Sequence, residues 1–168
     1  MKTFYQAVIT AVILTIGHGT ANSAEPSFTI KQLTPKTALK AAQAGLEKCR
    51  DMGYQVAIAV VDRSGQTQVM LRDRLAGAHT IEAATNKAWT AVSFKTNTTL
   101  LAKNTQSGHE SSGIRGMSRV LAIGGGITID VGGALYGAIG VSGASNGDDD
   151  DQCAQAAVDA ITVELEFD

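Results

Sequence analysis

The order of helix and strand patterns along this 168-residue chain predicts an α+β fold with an antiparallel sheet. Strand patterns stand next to one another and are joined by short turns, as in hairpins, and the helical patterns come before, between and after these runs. A doubly wound parallel sheet would instead alternate single strands with helices. Residues 25–168 have the size of one domain and contain neither a linker nor an internal repeat, so we expect a single domain.

The first 24 residues have the pattern of a secretory signal peptide. Lys2 provides a positive charge, residues 4–16 form an apolar run too short to cross a bilayer, and residues 21–24 are small or polar and suit cleavage. We therefore expect residues 1–24 to be removed during export and the mature chain to be periplasmic or secreted. An uncleaved membrane anchor is the alternative.

The helices have clear start and stop signals. A Thr-Pro pair at 34–35 combines a hydroxyl N-cap with proline at the first helical position, and Gly53 ends this helix. An alanine stripe predicts a second helix over residues 80–94, and a shorter one is expected from Thr98. The last helix is predicted from about residue 149 to residue 165.

Five strands are predicted. The first, residues 54–62, becomes apolar on both faces toward its end, so it must be covered on both sides, by helices on one and by helices or another subunit on the other. A tight turn leads back into the second strand, residues 66–72. Three short runs complete the predicted sheet: residues 120–123, 127–130 and 134–141.

Glycine is concentrated in residues 124–147, which hold nine of the eighteen glycines. A dinucleotide-binding turn would be followed by a helix, but more strand follows here, and the phosphate-loop motif is absent from the sequence. Two interpretations stay open: tight turns with close sheet packing, or a pocket lined by backbone groups. The residues concerned are Gly124, Gly125, Gly126, Ser142 and Gly143.

Charge and composition exclude several functions. The chain has 14 basic and 16 acidic residues and only 5% aromatic residues, which argues against nucleic acid or an anionic membrane as the main partner. No pattern of a Ser-His-acid or Cys-His hydrolase is recognisable. The acidic run at 148–151 opens the last helix, where helix capping is favoured over calcium binding because the spacing of a calcium loop is missing.

Cys49 and Cys153 are the only cysteines and lie in the first and last predicted helices. If these helices pack side by side, a disulfide would close a loop of about 105 residues, worth roughly 4–5 kcal/mol in the chain-entropy model. Two buried, small hydrophobic residues are the alternative. The oxidising environment of the export route is compatible with a bridge.

His79 and Glu82 are three residues apart at the start of the second predicted helix, so their side chains share a face. Such a pair could bind a metal or present an axial ligand. Alternatively, Glu82 simply favours the positive end of the helix and His79 is a surface residue. His109, in the polar loop 104–118, is a second candidate ligand.

Arg74 and Arg115 flank the predicted pocket elements. Arginine binds carboxylates through two parallel hydrogen bonds, and its alternative role is a solvated rim.

Several short motifs occur in order between residues 33 and 163: Ala57-Ile-Ala-Val-Val-Asp62-x-x-Gly65, Arg74-x-x-Gly77-Ala78, Lys87-Ala88-x-Thr90-Ala91-x-x-Phe94, Gly113-Ile114, Gly124-Gly125-Gly126 and Gly137-Ala-Ile-Gly140-Val-Ser142-Gly143. In this order and spacing the chain resembles the haem-binding GlcG/HbpS-like family, which includes the C-terminal domain of PduO. The resemblance implies a profilin-like, five-stranded antiparallel sheet flanked by helices and a homo-oligomer. For some members it also implies haem binding or haem breakdown.

On this resemblance we expect an exported haem-binding protein, with slow haem degradation as a further activity. Haem needs an apolar slot, an iron ligand and cationic groups for its propionates. His79 is the first candidate ligand, His109 the second and Tyr136 the third, and Arg74 and Arg115 are the candidates for the propionates.

Two other functions stay open. The first is a module that binds a small organic acid such as glycolate, held by residues 142–147 and the following helix N-terminus. The second is an oligomeric sensor or partner protein without a cofactor. No catalytic residue is assigned.

Overall fold

In the computed structural model, which describes residues 27–167, a four-stranded antiparallel sheet is packed between helices on both faces. The strand order is β2-β1-β4-β3. The α+β prediction is confirmed, and the predicted signal segment lies outside the described residues. The elements are α1 (Pro35–Asp51), β1 (Ala57–Asp62), β2 (Thr67–Arg72), α2 (Thr80–Phe94), α3 (Thr98–Asn104), a 3-10 helix (Glu110–Gly116), β3 (Gly126–Val131), β4 (Ala134–Ser142) and α4 (Gly147–Glu166).

The central strand β1 is buried on both faces, as its apolar sequence predicts. Ile58 and Val60 belong to a core cluster that includes residues of α1 and α4. Ala57, Ala59 and Val61 point to the opposite face, where they pack with the alanine stripe of α2. Helices therefore cover both sides of β1 within the chain itself.

α2 lies unusually close to the sheet because small residues meet at the contact. At Gly140 in β4, an added Cβ would lie 2.6 Å from the backbone nitrogen of Ala88 and would also contact the carbonyl oxygen of Ala84. No side chain larger than hydrogen fits there without movement of the helix. This contact fixes the position of α2, and with it the position of His79, the candidate site residue that directly precedes the helix.

α1 and α4 pack side by side on the other face, and the Cys49–Cys153 disulfide joins them. Both cysteines are fully buried, with a Cα–Cα distance of 5.4 Å. The close approach is possible because α1 has Gly45 opposite Cys153, where an added Cβ would lie 2.9 Å from the Cys153 carbonyl oxygen. The structure therefore contains the predicted disulfide and not two separate buried cysteines.

The prediction of five strands is wrong, because residues 120–123 do not form one. The amide of Leu121 donates to the Thr90 side chain at 3.0 Å, and the amide of Ile123 donates to the Leu121 carbonyl. One of these amides is thus bonded to α2 and the other to the segment itself. Neither is available for hydrogen bonds to a neighbouring strand, so the segment does not join the sheet. At the open edge of β3, the Asn97 side chain accepts from the Thr128 amide instead.

Within residues 27–167, no helix is both long enough and apolar enough to cross a membrane.

Candidate functional site

A recess of about 390 Å³ lies where the start of α2, residues 120–123 and the loop 142–147 meet. We call it the His79 recess. Its walls combine the imidazole of His79, the side chains of Leu121 and Ile123, and backbone from Ser142 to Gly147. The strand β4 ends at Ser142, and the loop then turns into α4, so the glycine-containing loop forms one side of the recess.

His79 stands at the N-terminal end of α2 and is exposed to solvent. Its ring packs against Gly77, where an added Cβ would lie 2.8 Å from the imidazole Cε1. Within residues 27–167, the imidazole makes no side-chain hydrogen bond and no ion pair, so its nitrogens are available to a ligand. Glu82 is exposed one turn further along but is not among the residues that line the recess. The described residues contain no group of three or more metal-ligating side chains.

The floor of the recess contains a buried ion pair between α2 and α4. The Lys87 ammonium lies 2.7 Å from Asp150 Oδ2 and donates to the Val141 carbonyl oxygen at 2.9 Å. Asp150 Oδ1 accepts from the Ala144 amide at 3.0 Å, which ties the loop 142–147 to the same carboxylate. Burial raises the pKa of Asp150, and the neighbouring Lys87 charge opposes that shift.

This pair is a feature that sequence reasoning missed. In the sequence, Lys87 belongs to a family motif and Asp150 to an acidic helix start, and neither pattern by itself predicts that the two residues pair. A signal existed, because Lys87 lies in register with the buried alanines of α2, at i+3 from Ala84 and i−4 from Ala91. A charge on an apolar helix face needs a buried partner.

The acidic run at the start of α4 is mostly engaged in internal contacts. The N-cap is Asn146, whose side chain accepts from the Asp149 amide at 2.9 Å. Asp149 accepts from the Tyr54 hydroxyl at 2.7 Å, and Asp151 accepts from the Thr99 hydroxyl and from a glycine amide. These carboxylates fasten α4 to its neighbours rather than forming an ion site.

The triple glycine at 124–126 serves close packing. At Gly125, whose φ is +111°, an added Cβ would lie 2.9 Å from the Lys87 ammonium. The Gly125 amide donates to Asp151 at 2.5 Å, and the Gly126 amide donates to the Thr98 hydroxyl at 2.8 Å. Both amides are therefore used inside the protein, which favours the tight-turn interpretation for these two positions.

A second recess, of about 570 Å³, lies on the other side of residues 120–123. We call it the Arg115 recess. It is lined by Arg115, Lys103 and Gly124, and it shares Leu121 and Ile123 with the His79 recess. The apolar segment therefore forms a wall between two neighbouring recesses.

The remaining predicted residues lie apart from the His79 recess. Arg74 lines a separate recess together with Arg50 and Asp73. His109 is exposed at the start of the 3-10 helix and lines neither the His79 recess nor the Arg115 recess. The expectation that Tyr136 could be an iron ligand is wrong, because its side chain is 2% exposed and packs in the core between the sheet and α1/α4.

The residues of the two recesses fit a flat, apolar ligand that carries a metal and anionic substituents. Ile123, which lines both recesses, is 49% exposed although its side chain is large and hydrophobic. An imidazole lies on one side of this apolar wall, and two cationic side chains lie on the other. An apolar surface beside a few convergent polar groups is typical of a ligand site.

Comparisons with known proteins agree with this description. The chain is 35% identical over 123 residues to corrinoid adenosyltransferase PduO of Salmonella typhimurium, but it spans only 36% of the length of that protein. It is similar in structure to a Streptomyces reticuli HbpS double mutant, with a TM-score of 0.76, 32% identity and coverage of 94% of this chain and 99% of the other. It is also similar to a crystal structure of a PduOC:heme complex, with a TM-score of 0.73, 32% identity and coverage of 77% and 95%. Residues 33–159 match the model of the family described as haem degrading protein HbpS-like, and the chain belongs to that family.

Proposed function

We propose that this chain binds haem, with His79 as an axial ligand of the iron. The observation that carries the proposal is the exposed imidazole of His79 in a recess that is also lined by the apolar side chains of Leu121 and Ile123. The family match and the similarity to the PduOC:heme complex support the same ligand.

Four residues of the recess have a defined part in this proposal. Imidazole nitrogen is a common axial ligand of haem iron, and Gly77 leaves the space beside α2 in which the His79 ring lies. Leu121 and Ile123 provide the apolar surface that removes the porphyrin face from water. When bound, haem supplies the redox chemistry of its iron, whereas the protein supplies orientation and a dry surface.

We also propose export, assembly into homo-oligomers and slow haem breakdown. Export predicts a mature N-terminus near residue 25, which N-terminal sequencing of the secreted protein would detect. Light scattering measures the subunit number. Haem breakdown predicts a steady loss of the Soret band of the complex under air with ascorbate, at a rate above that of free haemin.

The organic-acid alternative is less favoured by the charges around the loop 142–147. Of the three aspartates in the first turn of α4, Asp150 is paired with Lys87, whereas Asp148 and Asp149 form no ion pair within residues 27–167. Their negative charge opposes a second carboxylate at this helix N-terminus. If glycolate nevertheless raises the melting temperature of the protein while haemin does not, this alternative replaces haem binding.

A haemin titration followed at the Soret band tests the proposed function. We expect a shifted band for the wild-type protein. Because even groups that only support a metal ligand contribute 10–100-fold, we expect His79→Ala to lower the affinity by at least about tenfold. His109→Ala is the matched control, since His109 is an exposed histidine that lines neither recess. An unshifted wild-type band, or equal spectra for wild type and His79→Ala, overturns the proposal.

A further inference from the structure

We infer that the Arg115 recess binds the carboxylate groups of the ligand through Arg115 and Lys103, while the apolar body lies against Ile123 with its metal on the His79 side. The inference rests on the proposed function, since it assigns the two recesses to one ligand. It assigns a binding role to Lys103, and it separates Arg115 from Arg74, which lines another recess.

The charges of the two recesses decide which one receives an anion. In the His79 recess, the only Lys or Arg side chain is Lys87, and its charge is neutralised by Asp150 at 2.7 Å. The Arg115 recess has two cationic side chains, Arg115 and Lys103, against one carboxylate, Asp148. A carboxylate is therefore attracted to the Arg115 recess more than to its neighbour.

Arg115 is held in place by the protein yet keeps donors for a ligand. Its Nε donates to the Thr105 carbonyl at 2.7 Å and to the Thr105 hydroxyl at 3.0 Å, and its Nη2 donates to the Ala102 carbonyl at 2.7 Å. Two of the five N–H groups of a guanidinium are thereby used, so three have no hydrogen-bond partner within residues 27–167. A guanidinium fixed in this way loses little side-chain freedom when it binds a carboxylate.

Lys103 lies on α3 and is exposed. In the part of the chain that the structure describes, its ammonium has neither an ion pair nor a hydrogen bond. Its charge is therefore not cancelled by a fixed partner, in contrast to that of Lys87. Lys103 can also be changed without removing a structural contact, which makes it the better residue for a test.

The wall between the recesses joins them into one site. Leu121 and Ile123 line both recesses, so a flat ligand that covers this wall meets residues of each. A ligand with a metal at its centre and carboxylates at its edge matches this arrangement of an imidazole on one side and cations on the other. A spherical or small ligand would occupy one recess only.

The test compares haemin with haemin dimethyl ester, in which both carboxylates are esterified. Binding is followed at equilibrium by quenching of the fluorescence of Trp89, the only tryptophan. We expect the wild-type protein to bind haemin more tightly than the ester. Because exposed charge pairs contribute about 0.2–1 kcal/mol, we expect Lys103→Gln to weaken haemin binding by about 1.4- to 5-fold. Its affinity for the ester is expected to equal that of wild type.

Two further variants complete the test. Lys103→Arg keeps the positive charge and is therefore expected to bind haemin as tightly as the wild-type protein. Lys48→Gln removes an exposed lysine of α1, which lies on the opposite face of the sheet, and is expected to change neither affinity.

The outcomes separate the two proposals. If the wild-type protein binds neither porphyrin, the proposed function fails. If it binds haemin and the ester equally, or if Lys103→Gln weakens both by the same factor, haem binding stands and the carboxylate site in the Arg115 recess is overturned. His79→Ala removes the axial ligand only, so the preference for haemin over its ester should persist in that variant.

Discussion

Lys87 and Asp150 form a buried ion pair, 2.7 Å apart, between the helices on opposite faces of the sheet. The two side chains are 4% and 5% exposed. The pair reaches across the end of β4, where Lys87 also bonds the Val141 carbonyl, and Gly125 leaves the space that the ammonium occupies. One contact thus connects α2, the glycine turn and the start of α4, which are the elements around the His79 recess.

Removal of one member of this pair should be costly. In Lys87→Met the Asp150 carboxylate stays buried without its cation, so we expect the free energy of unfolding to fall by about 3–5 kcal/mol. The double variant Lys87→Met/Asp150→Asn removes both charges and keeps an acceptor for the Ala144 amide, so it should recover much of the loss. The free energy of unfolding of the wild type, the single variant and the double variant is measured by urea denaturation. A loss below about 1 kcal/mol in the single variant would mean that the pair behaves like an exposed one.

The disulfide should make a large contribution through the unfolded state. Cys49 and Cys153 are 104 residues apart in sequence, so the bridge removes much of the entropy of the unfolded chain. We expect Cys49→Ala/Cys153→Ala to lose roughly 4–5 kcal/mol in the chain-entropy model. Urea unfolding with and without reductant checks this prediction, because only the wild type should respond to reductant. An unchanged midpoint for the double variant contradicts it.

Much of the fold could be predicted because local signals were strong. Thr34 caps α1 through its hydroxyl, and α2 begins and ends where its alanine stripe predicts. Residues 120–123 could not be placed correctly, because a short apolar run has the same sequence pattern in a strand and in a half-buried segment. The Leu121 amide bonds the side chain of Thr90 in α2, which is distant in sequence, and no local pattern predicts such a bond.

The candidate site could be predicted only in part. His79, Ser142 and Gly143 all line the His79 recess. They could be predicted because His79 directly precedes α2 and the other two lie at the end of β4, and the sequence marks both of these boundaries clearly. Arg74 and Arg115 could not be separated by sequence, because both are arginines near turns and only tertiary packing puts them in different recesses.

The contact between Arg50 and Asp73 should make stability depend on pH. Arg50 donates to both carboxylate oxygens, at 2.7 and 3.1 Å, and these bonds lower the pKa of Asp73 from 3.8 to about 2. The folded state therefore keeps the charge at pH values where the unfolded chain binds a proton. The stabilisation is present above the unfolded pKa of 3.8 and is lost as the pH falls toward 2.

Asp73→Asn tests this dependence. We expect the variant to melt at a lower temperature than wild type at pH 7, and the difference to shrink as the pH falls through the range between the two pKa values. Asp159→Asn is the control, because Asp159 is exposed on α4 and its side chain only accepts from Gln155. A difference between Asp73→Asn and wild type that is constant from pH 7 to the acid range would mean that the ion pair does not cause it.

Gly140 sets how closely α2 can approach the sheet, so a side chain at this position should destabilise the protein. An added Cβ would lie 2.6 Å from the Ala88 nitrogen and against the Ala84 carbonyl, so Gly140→Ala must move the helix backbone. We expect a loss of about 1–3 kcal/mol or more, measured by urea unfolding. Gly116→Ala, in the 3-10 helix, is the matched control, since nothing lies within 4 Å of the added methyl group.

Because α2 carries both His79 and Lys87, Gly140→Ala should also weaken haemin binding. If Gly140→Ala is as stable as the control, the helix is not held by this contact.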